Sequence, residues 1–335
     1  MTLFPRSSIS VPAVLFVLSC SASAADWQAV AGDLIAKEKP GFGGLSGVAV
    51  DHATGTLFVN LSDRGVFRSG DQGKSWERVG KEFKGRTEWP GCLMLDPTGK
   101  SKRLLCATVY GGPVAIASLE DDSWRLLDAK CGHVDWCAID WGDAEMKFVL
   151  ALKHESGGTL LVSTDGGKRF EEAGKGYGPA WVFDGSTAVV AEAKTKDKPK
   201  PGLLRTTDGG KSFKPCGDYS ATALPKWRGD TLYWLVDGAL IKTTHAGKNW
   251  EKVCDLKDGR YGPVFGKEAK QMFVLTGAGV IESTDGGATW SQPLALPKEL
   301  KGVSPLTWMD YDPTHDVLYV MKMGSELYRM DRPKK

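Results

Sequence analysis

The eight residues 69–76, SGDQGKSW, recur with small changes at 163–170 (STDGGKRF), 206–213 (TTDGGKSF) and 283–290 (STDGGATW), and in blurred form at 243–250 (TTHAGKNW). A pattern that returns at a regular interval restricts a chain to architectures that stack copies of one unit. Each copy ends on an aromatic residue, and a decayed copy, SLEDDSW, ends at Trp124. From Trp76 to Trp290 these aromatics stand 37 to 48 residues apart. That interval has room for four short strands and their turns, the size of one propeller blade.

The strands themselves are visible. In the first interval LSGVAVD (45–51), TLFVNLS (56–62), GVFRSGD (65–71) and SWERVG (75–80) alternate apolar and polar residues between turn signals. After Trp290 only three strands follow, at 306–312, 317–323 and 326–332, while DWQAVAG (26–32) near the start resembles SWERVG. The N-terminal strand 26–32 is therefore expected to complete the last blade, which closes the ring and protects its strand edges. The expected fold is all-β, a single seven-bladed β-propeller over 26–335. Its seven outer-strand aromatics are Trp27, Trp76, Trp124, Phe170, Phe213, Trp250 and Trp290. The box joins the third and fourth strands of a blade. Gly73, Gly167, Gly210 and Gly287 allow a positive φ in that turn, and Asp71, Asp165, Asp208 and Asp285 accept turn N–H groups as structural residues.

These boxes resemble Asp-box (BNR) repeats, S/T-x-D-x-G-x-x-W/F. GVAVDHATG, LMLDPTG and MDYDPTHD resemble the first-strand endings of sortilin-type receptors, xyloglucanases and photosystem II assembly-factor propellers. The resemblance implies that the box is peripheral architecture and that function sits elsewhere. It also implies two kinds of activity, recognition of peptides or proteins and glycoside hydrolysis.

Formal net charge is +2, with no basic patch or acidic tail, so no nucleic-acid partner is expected. Residues 1–24 read as an export signal. Arg6 is followed by the short apolar run 11–19 and by ASA at 22–24, which puts the mature start near Ala25 or Asp26 in a periplasmic or extracellular protein. A lipoprotein signal with Cys20 as the lipidated residue is the second reading; Leu18 is large for it. No later run is long enough for a transmembrane helix. The other six cysteines, Cys92, Cys106, Cys131, Cys137, Cys216 and Cys254, permit disulfides in an exported chain. Cys131–Cys137 is the favoured pair, and buried free thiols are the alternative.

Propeller ligands sit on one face, on loops between second and third strands or between blades. Here those loops carry Asp63 and Arg64, Tyr110, His154 and Glu155, then Arg86, Glu88 and Trp89, His133, Asp135 and Trp136, and Arg260 and Tyr261. Aromatic platforms and fork-like donors suit sugars or carboxylates, so Arg64, Arg86, Trp89, Tyr110, His133, Trp136, His154, Arg260 and Tyr261 are the ligand-binding candidates. The expected function is binding of a glycan or protein ligand on this face.

The runner-up is a carbohydrate-active enzyme. An inverting glycosidase needs two carboxylates roughly 6.5–9.5 Å apart, and Asp63, Glu88, Asp135 and Glu155 are the candidates. A sialidase needs an arginine cluster for the substrate carboxylate, for which Arg64, Arg86 and Arg260 are available. The sialidase family's Arg-Ile-Pro motif is absent and its propellers have six blades. His133, Asp135, His154 and Glu155 lie on neighbouring loops, but their spacing matches no metal motif. No metal and no cofactor are assigned, and hydrogen-bonded loop histidines are expected instead.

Overall fold

The computed structural model describes residues 26–332; the leader at 1–24, its alternative anchor Cys20 and the last three residues lie outside them. Seven antiparallel sheets follow one another around a ring, and in all but the last the strands are hydrogen-bonded in chain order from the inner to the outer strand. Blade 1 is made of Leu45–Val50, Leu57–Leu61, Val66–Ser69 and Glu77–Arg78. Blades 2 to 5 repeat the plan, and their first strands begin at Leu93, Val134, Tyr177 and Lys226.

Burial follows from the architecture. The inner strands of each blade lie between two neighbouring blades, so both their faces are covered, and Leu45–Val50, Leu57–Leu61 and Met272–Thr276 are buried at every position. The outer strands face solvent on the rim, and Glu171–Gly174 is largely exposed. Two-sided burial explains why the inner strands read as apolar runs, whereas the rim strands are polar apart from their aromatic.

The last blade joins the two ends of the described chain. Thr307–Asp312, Val317–Lys322 and Leu327–Asp331 are completed by Gln28–Ala29, which pairs antiparallel with Arg329 and Tyr328. Val30 extends the pairing through its N–H to the Leu327 carbonyl at 2.9 Å. The seam forms as expected, though shorter than 26–32, because Gly32–Glu38 turns into a helix. Buried Leu34 anchors that helix, and Arg64 caps its C-terminal carbonyls.

Blade 6 departs from the plan. It has three strands, Gly259–Phe265, Met272–Thr276 and Gly279–Ser283, and after Trp290 only a single bridge, Val280 to Leu294. The segment SQPLALP carries two prolines that have no N–H to give a ladder, which prevents a fourth strand.

The repeated box forms one hydrogen-bond unit. In the first, the Ser69 hydroxyl donates to Asp71 Oδ1 at 2.7 Å and accepts the Gly73 N–H at 2.8 Å, and Asp71 accepts the Ser75 N–H at 2.9 Å. Asp165, Asp208 and Asp285 repeat these contacts. In the blurred copy His245 replaces the aspartate, yet the Gly247 N–H still reaches the Thr243 hydroxyl at 3.2 Å.

The box also ties blade to blade. A Cβ on Gly73 would meet Val30 of the last blade at 2.8 Å, and one on Gly247 would meet Val189 of blade 4 at 2.1 Å. Two of the outer aromatics do the same with their indoles: Trp124 donates to the Val79 carbonyl of blade 1 at 2.8 Å, and Trp27 to the Ala295 carbonyl beside blade 6 at 2.9 Å.

That packing accounts for the cysteines, where the disulfide expectation is corrected. All six described cysteines are free, including Cys131 and Cys137. Cys216 and Cys254 sit half-buried on outer strands, packed in the same hydrophobic clusters as Trp250 and Trp290 respectively, an apolar niche rather than a bridging position. Burial pushes the Cys137 thiol well up, and its hydrogen bond with the Cys131 thiol adds to the shift. A large apolar core leaves no need for a covalent staple.

Candidate binding face and a histidine–carboxylate cluster

The loop face carries two cavities on either side of Asp135. The axial one, about 530 Å³, is lined by Trp89, Asp135, Trp136, Arg260, Tyr261 and the 221–224 and 303–305 loops, among others. The second, about 660 Å³, lies over blades 1 to 3 and is lined by Phe42, Asp63, Arg86, Glu88, Tyr110, His154 and Glu155 together with neighbouring backbone. The candidate residues thus divide into two groups, with Arg64 and His133 lining neither cavity.

Asp135 connects the groups. Its Oδ1 accepts the Trp89 indole N–H at 2.7 Å and lies 2.5 Å from His154 Nδ1. Its carbonyl accepts the Cys92 thiol. The His154 backbone N–H reaches the His133 carbonyl at 2.8 Å, which locks the two histidine loops together. His133 Nδ1 lies 2.8 Å from the Val109 carbonyl, so the expectation of hydrogen-bonded loop histidines holds for both rings. The structure adds something the spacing did not show: donor atoms of His133, His154 and Glu155 lie within 4.8 Å of one another.

Arg86 is 4 % exposed. Its guanidinium lies between the rings of Phe42 and Tyr110, 4.8 and 4.6 Å from their centroids, and Nη2 donates to Glu88 Oε2 at 2.7 Å. The ion pair and the two rings fix Arg86 in place as a support for Tyr110. Arg64 is also committed, to Asp63 at 2.6 Å and to the helix carbonyls. Arg260 is exposed and paired with Asp258. The three arginines therefore do not converge: Arg86 belongs to one cavity, Arg260 to the other, and Arg64 to a helix end.

Among the carboxylates, Asp63, Glu88 and Glu155 share the second cavity and Asp135 lines the axial one. Asp63 also accepts the Gly41 N–H at 2.7 Å, and Asp63 and Glu155 are exposed, Glu155 the more so.

Trp136 and Tyr261 are buried in the axial wall rather than exposed as platforms. The Tyr261 hydroxyl accepts a hydrogen bond from Lys226 Nζ at 2.7 Å. Burial in the channel pushes the Lys226 ammonium down to about 8 against the opposing pull of Asp310. Burial, with Asp310 nearby, raises the Tyr261 phenol.

Phe42 was absent from the residues expected in the site. It is 82 % exposed on the segment between the helix and blade 1. Its signal was an aromatic within the turn-forming stretch KPGFGG, where nothing in the core requires one.

No protein-family description matches the sequence, and no curated protein matches it. Solved structures do. A GH74 enzyme from Niastella koreensis aligns at TM-score 0.56 and 18 % identity over 86 % of this chain and 52 % of its own. The extracellular domain of BT4673 from B. thetaiotaomicron aligns at 0.55 and 8 % identity over 87 % of this chain and 39 % of its own. A structure titled YCF48 bound to D1 peptide aligns at 0.52 and 12 % identity over 93 % of this chain and 96 % of its own. The chain therefore spans about half or less of the first two proteins and nearly all of the third. At these identities the likeness is one of fold, and the chain takes its place among the β-propellers.

Proposed function

We propose that this protein is an exported binding module that holds an extended ligand, a glycan or a peptide segment, across its loop face. One observation carries the reading. Four large hydrophobic side chains are exposed among the described residues, and three of them, Phe42, Trp89 and Tyr110, border the two cavities on that face. Exposed aromatics on a rigid scaffold supply contact area at little entropic cost, to sugar rings and to peptide side chains alike. The repeats, read as Asp-boxes, belong to the scaffold in this proposal. The carboxylates favour binding over hydrolysis, because Asp63, Glu88 and Asp135 already serve as partners of neighbouring groups.

The test is a screen of the mature chain on glycan and peptide arrays, with Trp89→Ala and Phe42→Ala as comparisons and free sugar measured in parallel. Binding that falls at least about tenfold in either variant, with no sugar released, supports the proposal. Binding that neither substitution alters sinks it.

A second reading, a glycoside hydrolase, is favoured by the presence of Asp63, Glu88 and Glu155 in one cavity. Released sugar that disappears in Glu155→Gln would establish it in place of the first. Export rests on the leader read at 1–24, and sequencing the natural protein is expected to find its N-terminus at Ala25 or Asp26.

A further inference from the structure

We propose that His133, His154 and Glu155 form a binding site for a divalent transition-metal ion of the zinc class. The site borders the aromatic surface, since the Tyr110 ring stands edge-on to both histidines and His154 and Glu155 line the same cavity. Ion binding is measured without any ligand of that surface, so its failure and that of the proposed function are distinguishable. Ligand atoms around a tetrahedral zinc, with bonds near 2.0–2.1 Å, stand roughly 3.4 Å apart. His154 Nε2 and Glu155 Oε1 are already 3.6 Å apart, and all three donors lie within 4.8 Å. The exposed Glu155 side chain, 76 % accessible, is free to adjust toward an ion held by the two imidazoles.

Both imidazoles are set in the tautomer that a metal needs. A carbonyl and a carboxylate only accept hydrogen bonds, so His133 Nδ1 facing the Val109 carbonyl and His154 Nδ1 facing Asp135 each carry the proton. Each Nε2 then presents its lone pair. Partners of this type on the far nitrogen are the usual outer support of metal-binding histidines, where they fix ring orientation and raise basicity. The two rings stand nearly perpendicular, at 88°, with centroids 4.9 Å apart.

His133 has φ +58° and Glu155 φ +49°, left-handed turn conformations that aim their side chains out of the two loops. The hydrogen bond from the His154 N–H to the His133 carbonyl holds these loops in register. Two imidazoles and a carboxylate suit zinc and its neighbours rather than calcium or magnesium, which take oxygen ligands. Three protein donors leave a fourth position for water or a ligand oxygen, on the side of the cavity that His154 and Glu155 line.

The experiment is equilibrium dialysis of the tag-free mature chain, stripped with chelator, against Zn²⁺, with Co²⁺ as the spectroscopic probe. One ion per chain and the visible absorption of tetrahedral Co²⁺ are expected. Glu155→Gln, at an exposed side chain that leaves folding intact, is expected to weaken binding and change the Co²⁺ spectrum. Asp135→Asn, through His154, is expected to cost about 10–100-fold in affinity. No stoichiometric binding by the wild-type chain overturns the proposal. So does an ion retained with unchanged affinity and spectrum in Glu155→Gln and in a folded His133→Ala variant, because that ion is held elsewhere.

Discussion

At the scale of single residues, the repeated box divides into a part that is kept and a part that wears. The hydroxyl of Ser69, Ser163, Thr206, Thr243 or Ser283 accepts the N–H of the second box glycine in all five copies. The aspartate is dispensable at position 245. Where it is present it is held as the anion: hydrogen bonds from the Ser75 hydroxyl and N–H lower Asp71 to about 2, and those from Thr289 lower Asp285 to about 2. Both stand below the ordinary carboxyl value of 3.8. A carboxyl depressed in the folded state adds stability that is complete above its unfolded pKa and lost as pH falls through the folded one. The melting temperature is therefore expected to hold steady above about pH 5 and to fall between roughly pH 4 and pH 2. Asp71→Asn is expected to flatten part of that fall. A wild-type melting temperature that does not change across this range would show that the boxes carry no such linkage.

The residue types of the loop face were readable because loops on a propeller face are short and their chemistry stands out. Their partnerships were not. His154 meets Asp135 through the register of the first two strands of blade 3, and Trp89 meets Asp135 from the neighbouring blade across 46 residues, so strand register and blade packing bring them together. The same long-range packing put Arg86 between two rings and turned Tyr261 into a buried partner of Lys226.

At the scale of elements, the seam is the decisive strand. Gln28–Ala29 covers an edge of Leu327–Asp331 that would otherwise offer unpaired backbone groups to another molecule. Removing residues 26–31 is expected to lower the melting temperature and to produce soluble oligomers by light scattering. A truncated chain that stays monomeric and melts with the parent would show that the strand is ornamental. This element was legible from the resemblance of DWQAVAG to SWERVG. The neighbouring helix was not. Gly32–Glu38 is seven residues long, and its N-cap Ala31 makes no side-chain cap hydrogen bond, so it carries none of the usual start signals. Blade 6 misled in the opposite way. Its box is intact through Trp290, but the prolines after it remove the strand the box normally introduces.

At the scale of the whole molecule, a pattern repeated along the chain fixed the blade count because each copy specifies the same local unit. The loop face has no such repetition. Each loop there is different, which is why the scaffold could be read from the sequence and the ligand could not. The seam also gives the ring a direction in which it is weakest. Since Gln28 faces Arg329 in an antiparallel pair, the two ends of the described chain leave the last blade side by side. A load pulling those ends apart opens the pair one hydrogen bond at a time, as a zipper, instead of shearing all of them together. A load across the ring from rim to rim meets the buried inner strands of several blades at once. The molecule is thus a clasped band, resistant to being stretched across its diameter and easiest to open at the clasp.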